Sequence, residues 1–280
     1  MMVEIVAEIG INANGSIEIA KKMIDVAYSA GCDYVKFQKR EIESVYSREE
    51  LDKPRESPWG TTTREQKYGL EFDYPQYWEI DEYCKQKGIK WFVSFWDVNS
   101  ARIMHQKGFR FPYIKIPSAL LTNVPLLIEI KEIVKKTDCR VILSTGMSST
   151  KDIDNAIIYL GPYIECIMAC TSTYPTKPEE INAKNVLTLR EQYPHCSKIG
   201  FSNHYPGLMA MLLAVAYGAD MIETHITLDR TMYGSDQAAS IEPQGMFELR
   251  KRIDLIEKMK GDGIKKIYES EIPIMEKLRR

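Results

Sequence analysis

Short runs of β-branched and aromatic residues alternate along this chain with longer stretches whose apolar positions recur every three or four residues. The first pattern suits a buried pleated strand, the second a helix with one apolar side. Strands are predicted in VEIVAEIG, DYVKFQKR, KWFVSFWD, YIKIPSA, RVILSTGM, ECIMACTSTYP, KIGFSNH and MIETHITL. Helices are predicted between them in IEIAKKMIDVAYSAG, YPQYWEIDEYCKQKG, NSARIMHQKG, VPLLIEIKEIVKKT, TKDIDNAIIYLG, NAKNVLTLREQY and LMAMLLAVAYGA, with EPQGMFELRKRIDLIEKM as the last. Repeated strand–helix units build a parallel sheet. Eight in succession favour a closed ring over an open doubly wound sheet, because closure leaves no strand edge exposed. The expected fold is α/β, a single-domain (β/α)8 TIM barrel over residues 1–262, close to the ~250 residues such barrels usually need.

Local signals support these boundaries. Gly31, Gly88, Gly108, Gly161 and Gly218 follow the last apolar turn of a helix, where a left-handed residue ends the helix without a Cβ clash. Ser149 or Thr150, and Asn99, stand where an N-cap would accept unpaired backbone donors. One stretch breaks the rhythm: residues 41–69, after the second strand, hold Pro54, Pro58, Trp59 and a threonine run, and read as an ordered active-site loop. Residues 263–280 read as a tail with a short, basic surface helix. The aromatic stretch YPQYWEIDEYC has helical spacing and reads as core packing rather than a binding box.

Composition narrows the class. Apolar residues make up 44% and charged residues 27%, as in ordinary globular chains. A net charge of −2 supplies no broad positive field to hold nucleic acid. The opening MMVEIVAEIG lacks a basic leader ahead of a long apolar stretch, and no apolar run reaches ~18 residues, so neither export nor a membrane partner is expected and the cytoplasm is the expected location. Cys32, Cys84, Cys139, Cys166, Cys170 and Cys196 show no CxxC spacing and read as reduced, mostly buried thiols.

In barrels of this kind chemistry sits at the C-terminal ends of the strands. Polar groups gather there: Glu8; Lys36 and Gln38; Ser94 and Asp97; Lys115 and Ser118; Ser144 and Thr145; Thr171, Ser172 and Tyr174; Ser202, Asn203 and His204; Glu223 and His225. Each alone could cap a helix or complete a structural ion pair. Together they point to a site, since two lysines are costly to bury without compensating anions. A bound phosphate and carboxylate would compensate them, with further hydrogen bonds from the Ser144-Thr145-Gly146 and Ser202-Asn203 turns. His204 and His225 close adjacent strands and can face one point, which suits either a divalent metal or simple packing. Glu223, two residues before His225, shares its side of the strand. His105 and His195 read as solvated, and Asp236 in MYGSDQAAS lies either in a loop close to a ligand or in a surface turn.

The segments AEIGINANGS, YVKFQ, YIKIPS, ILSTGMSS, CTSTYPT, GFSNHYPG and ETHITLDRTMYGSDQAAS, in that order, resemble the catalytic barrel of the N-acetylneuraminate (sialic acid) synthase family, from about Val3 to Ile256. The resemblance implies a transferase that joins phosphoenolpyruvate to a sugar aldehyde, such as an N-acylated hexosamine, giving an ulosonic acid and phosphate. It implies that His204 and His225 bind a divalent metal, Mn2+ first, with Mg2+ or Co2+ as alternatives. Lys36, Lys115, Ser118, Ser144 and Ser202 would hold phosphoenolpyruvate. Gln38, Ser172, Tyr174 and Asp236 would contact the sugar, and Glu223, Lys36, Lys115 and Asp236 would act in catalysis. A homo-oligomer is expected from the same resemblance.

Three positions depart from the family's common pattern: Asn14 and Leu120 stand where glutamate is usual, and Phe95 where threonine is. They imply an altered sugar pocket. The antifreeze-like domain that follows the barrel in relatives is expected to be absent, the sequence ending at Arg280. Two other readings remain open. One is a synthase of 3-deoxy-octulosonate or heptulosonate phosphate, marked out by a phosphorylated acceptor, and the other is a barrel that binds a sugar acid without turning it over.

Overall fold

In a strand successive side chains point to opposite faces, and this parity organises the computed structural model, which describes residues 2–279. The strands β1 (Glu4–Glu8), β2 (Tyr34–Lys39), β3 (Lys90–Phe95), β4 (Tyr113–Ile116), β5 (Arg140–Ser144), β6 (Ile164–Cys170), β7 (Lys198–Asn203) and β8 (Met221–His225) pair in parallel as one closed barrel in which β1 hydrogen-bonds to both β2 and β8. Their outward residues, among them Ile5, Phe37, Val93, Val141 and Ile222, join the apolar faces of the surrounding helices in one core. Those helices are α1 (Ile17–Ser29), α2 (Tyr74–Lys87), α3 (Val98–Gln106), α4 (Val124–Val134), α5 (Thr150–Leu160), α6 (Asn185–Gln192), α7 (Met209–Ala216) and α8 (Pro243–Lys260). Each strand predicted from the sequence is present.

Inward residues build two layers of different chemistry. Val6, Tyr34, Phe92, Tyr113, Ile142, Cys166, Met168 and Met221 plug the lower barrel with a second apolar cluster. Gly200 makes room for it, since a Cβ there would lie 3.0 Å from both Cys166 Sγ and Met168 Cγ. Two residues further along each strand the inward positions turn polar. The parallel register then sets Glu8 beside Lys36 and His225, Ser94 beside Lys115, and Glu223 beside Ser202.

All five glycines predicted to end helices have positive φ, and Ser149 caps α5 in a reciprocal box with Asp152. The expected cap at Asn99 is wrong. Asp97 does that work instead, its carboxylate accepting from Ser100 N and from Glu41 N, each at 2.8 Å; α3 therefore starts at Val98, and Asp97 is tied up outside the site. His105 is half-buried rather than solvated, whereas His195 is exposed. Burial pushes the thiols of Cys32, Cys84 and Cys139 up to about 12, so at neutral pH they stay protonated. No described helix is long and apolar enough to cross a membrane.

Residues 41–69 are more than a loop. They contain short helices at Ile42–Val45 and Arg48–Leu51, an antiparallel hairpin of Pro54–Ser57 with Gly60–Thr62, and most of a helix at Thr63–Leu70 begun by a Thr62–Glu65 capping box. Trp59 at the hairpin tip lies so close to Gly69 that a Cβ there would stand 2.1 Å from the ring. The indole also meets Tyr233 edge-to-face at 5.5 Å, fastening the insertion to the segment after β8. In the tail a short exposed helix forms at Ile272–Leu278.

Candidate active site

The inward polar layer opens into a cavity at the C-terminal mouth of the barrel. Eleven of the twelve residues to which the family resemblance gave a role line it: Lys36, Gln38, Lys115, Ser118, Ser144, Ser172, Tyr174, Ser202, His204, Glu223 and His225. Asp236 does not. Its carboxylate is partly exposed, with Oδ2 3.9 Å from His225 Nδ1. No residue of the insertion lines the cavity, which corrects its expected place as an active-site loop. Glu8, Ser94, Trp96, Met147 and Cys170 complete much of the wall; of these, Trp96, Met147 and Cys170 carried no signal beyond following a strand or ending one.

The two lysines are not left for a ligand to neutralise, contrary to the sequence argument. Lys36 Nζ lies 2.8 Å from Glu8 Oε2 and donates to Ser94 Oγ at 2.9 Å. Lys115 pairs directly with Glu223 Oε1, which also accepts from Ser202 Oγ at 3.2 Å and stands 3.7 Å from Lys36. The sequence had displayed both carboxylates, but the pairing depends on a register that spans the barrel. Burial favours the neutral form of each group, and here the opposite charges win. Lys115 and Lys36 hold the Glu223 carboxyl down at about 2, while Glu223 and Glu8 raise Lys36 above its ordinary value. The quartet is thus buried, charged and internally balanced.

Among the described residues, four polar atoms on residues that line the cavity are buried without a partner, Glu223 Oε2, Ser144 Oγ, Trp96 Nε1 and His225 Nδ1, while a fifth, Glu8 Oε2, makes no hydrogen bond but pairs with Lys36. Orphaned groups of this kind are rare in folded proteins and mark places where a ligand completes the bonding. Above Ser144 the chain must be glycine at 146, because a Cβ would fall 2.1 Å from Ser172 Oγ and 2.8 Å from Ser118 Oγ. Gly146 N donates to Ser118 Oγ at 3.1 Å, and Met147 follows in the left-handed region at φ 57°. Two of the neighbouring groups predicted to bind anions are used by the fold, Thr145 Oγ1 donating to Met168 O and Asn203 Nδ2 to Tyr205 O, and the strand-end Thr171 Oγ1 likewise donates to Glu180 O.

His204 and His225 do converge. A ring nitrogen about 2.1 Å from an ion puts the ring centre about 3.2 Å away, so two imidazoles sharing one ion have centres up to about 6.4 Å apart. Theirs are 5.7 Å apart. His204 Nδ1 donates to Thr171 O at 2.7 Å, which fixes the tautomer and leaves Nε2 with its lone pair free, as metal-bound histidines require. Burial depresses His225, keeping it neutral, while the Cys170 contact outweighs burial and raises His204. Among the described residues no three His, Cys, Asp or Glu side chains form a cage. The donor set fits an open site, with positions left to substrate and water. Cys170 packs against His204 Nδ1 at 3.9 Å, and that contact together with Lys115 outweighs burial and brings its thiol down to about 6.

The three departures lie elsewhere. Phe95 follows Ser94 and so faces outward, packing on Phe111 at 6.3 Å. Neither Asn14 nor Leu120 lines the cavity. An altered sugar pocket therefore does not follow from these positions.

Comparison with known proteins agrees with the geometry. A family model described as the NeuB family matches residues 23–265. Human N-acetylneuraminate-9-phosphate synthase is 36% identical over 279 residues, 98% of this chain and 76% of that protein. The N,N'-diacetyllegionaminic acid synthase of Campylobacter jejuni is 35% identical over 279 residues, 95% of this chain and 80% of the relative. Among solved structures, the N-acetylneuraminic acid synthetase of Leptospira borgpetersenii, in complex with citrate, superposes with a TM-score of 0.84 at 29% identity, covering 100% of this chain and 93% of that one.

Proposed function

Because this chain belongs to the NeuB family of phosphoenolpyruvate-condensing synthases, we propose that its cavity joins phosphoenolpyruvate to the aldehyde of an N-acylated hexosamine or related sugar, releasing phosphate and a nonulosonic acid. The observation that carries this reading is that Glu223 and Ser144, whose Oε2 and Oγ are buried without a partner, line one cavity together with two lysines and two converging histidines.

Lys36 and Lys115 take the phosphate and carboxylate of phosphoenolpyruvate, with Ser118, Ser144 and Ser202 donating to its oxygens. Lys115 then exchanges part of its pairing with Glu223 for the ligand. That frees Glu223 to orient water toward C2 through Oε2 and to accept its proton, once C3 has formed the new bond to the aldehyde carbon. Gln38, Ser172 and Tyr174 hold the sugar, and Asp236, beside His225 Nδ1, steadies that ring or meets a sugar hydroxyl. His204 and His225 would hold a divalent metal, Mn2+ in our proposal, which as a Lewis acid polarises the aldehyde oxygen.

Acceptor phosphorylation does not separate this reading from a heptulosonate-type synthase, since a relative's own name carries a 9-phosphate. The product's carbon skeleton does. Phosphate release from phosphoenolpyruvate is expected to need both sugar and divalent metal, to stop on chelation and to return with Mn2+. Undiminished release in chelator would refute the metal's part, and no release with any sugar would refute the reaction.

A further inference from the structure

Arg40 follows β2 directly and is 6% exposed. Its guanidinium joins two regions. Toward the insertion side, Nε lies 2.9 Å from Glu71 Oε1 and Nη1 donates to the Tyr46 hydroxyl at 3.4 Å. Toward the cavity, Nη2 donates to Gln38 Oε1 and the charged plane lies 4.8 Å from the ring of Trp96, a wall residue. The chain of bonds continues inward: Gln38 Nε2 donates to Glu8 Oε1 at 2.7 Å, and Glu8 Oε2 holds Lys36.

We infer that Arg40 is a positioning residue for the acceptor sugar, acting through Gln38 without touching substrate. A side-chain amide can point either way, and its two ends offer opposite chemistry. A guanidinium only donates and a carboxylate only accepts. Between Arg40 and Glu8 the Gln38 amide therefore has one orientation, Oε1 outward and Nε2 inward. One N–H of Nε2 then remains to meet the sugar from a fixed direction. The backbone at Gly10 closes over this pair, for a Cβ there would stand 3.0 Å from Glu8 Oε1 and 3.1 Å from Gln38 Nε2.

Lys39 shares the anchoring of Glu71 at 3.5 Å and donates to Phe72 O at 3.2 Å, so holding the insertion is a role Arg40 does not carry alone. Arg40→Lys separates the two functions: a single ammonium can keep Glu71 or reach Gln38, whereas the forked guanidinium does both. The inference rests on Gln38 as a sugar contact. For Arg40→Lys we expect the acceptor KM to rise about tenfold, the scale of one well-presented hydrogen bond, with the phosphoenolpyruvate KM and Tm unchanged. Glu71→Gln should lower Tm and leave both KM values in place. An acceptor KM within twofold of wild type in Arg40→Lys, or an equal rise in Glu71→Gln, would overturn the inference. If the wild-type chain turns over no sugar, that failure belongs to the proposed reaction, and the positioning role is read in the free protein. There the Gln38 side-chain amide protons, assigned by their loss in Gln38→Glu, should exchange slowly in wild type and faster in Arg40→Lys; equal rates would overturn it without any assay of activity.

Discussion

Replacing Glu223 by glutamine tests the buried charge quartet on which the site is built. The variant keeps the side chain's shape but removes the counter-charge of Lys115, which is left with neutral acceptors only, the new amide oxygen and Ser202 at 3.5 Å, while Lys36 keeps Glu8. The carboxyl has an ordinary value of 4.5 and is held at about 2 in the fold. That difference is linked to about 3 kcal/mol of stability at neutral pH, in line with the roughly 3–5 kcal/mol lost on breaking a buried ion pair from one side. Because the folded value is the lower one, the contribution is complete above 4.5 and disappears as pH falls through about 2. The wild-type advantage over Glu223→Gln should thus shrink by about 1 kcal/mol at pH 4 and about 2 kcal/mol at pH 3. Urea unfolding at pH 7, 5 and 4 measures it. A variant as stable as wild type at pH 7, or a difference that stays constant down to pH 4, would refute the reasoning.

Other consequences follow from single contacts. His225→Ala should fold normally, judged by near-ultraviolet circular dichroism, yet lose at least about 1,000-fold in phosphate release if the ring holds the metal; wild-type release would remove His225 from that role. Gly146→Ala drives a methyl group into Ser172 and Ser118, and such a misplacement should reduce kcat/KM about 100-fold, with a raised phosphoenolpyruvate KM; an unaffected KM would show that this turn does not hold the anion. Gly69→Ala pushes Trp59 away from Tyr233 and should cost about 1–3 kcal/mol, while opening residues 41–69 to limited proteolysis. Resistance equal to wild type would contradict the described packing.

Much of this was legible in the sequence because parity repeats. Once the strand Tyr34–Lys39 is placed, Lys36 and Gln38 must share a face, and the same rule brings Glu223 and His225 together. The rule is also where reading failed. Phe95 lies one residue from Ser94 and therefore points the other way, so a departure that looked like a change of pocket is a change of packing. Asp97 and Thr145 stand at strand ends like true site residues, yet satisfy local backbone groups; sequence position does not separate a capping oxygen from a catalytic one. Compensation of the lysines was hidden for a different reason, since Lys115 and Glu223 are 108 positions apart and meet only after the ring closes. Arg40 carried no signal at all, being one charged residue in a polar stretch until burial gave it partners.

The most direct test of the account is mass spectrometry of the products formed when the protein, Mn2+ and phosphoenolpyruvate are mixed with a panel of N-acylated hexosamines, their 6-phosphates, hexoses and pentose phosphates. The account predicts one new acid whose mass equals an N-acylated hexosamine, free or phosphorylated, extended by a pyruvate unit, formed by wild type and absent with His225→Ala. A product built on a pentose phosphate, or no condensation product from any sugar, would contradict it.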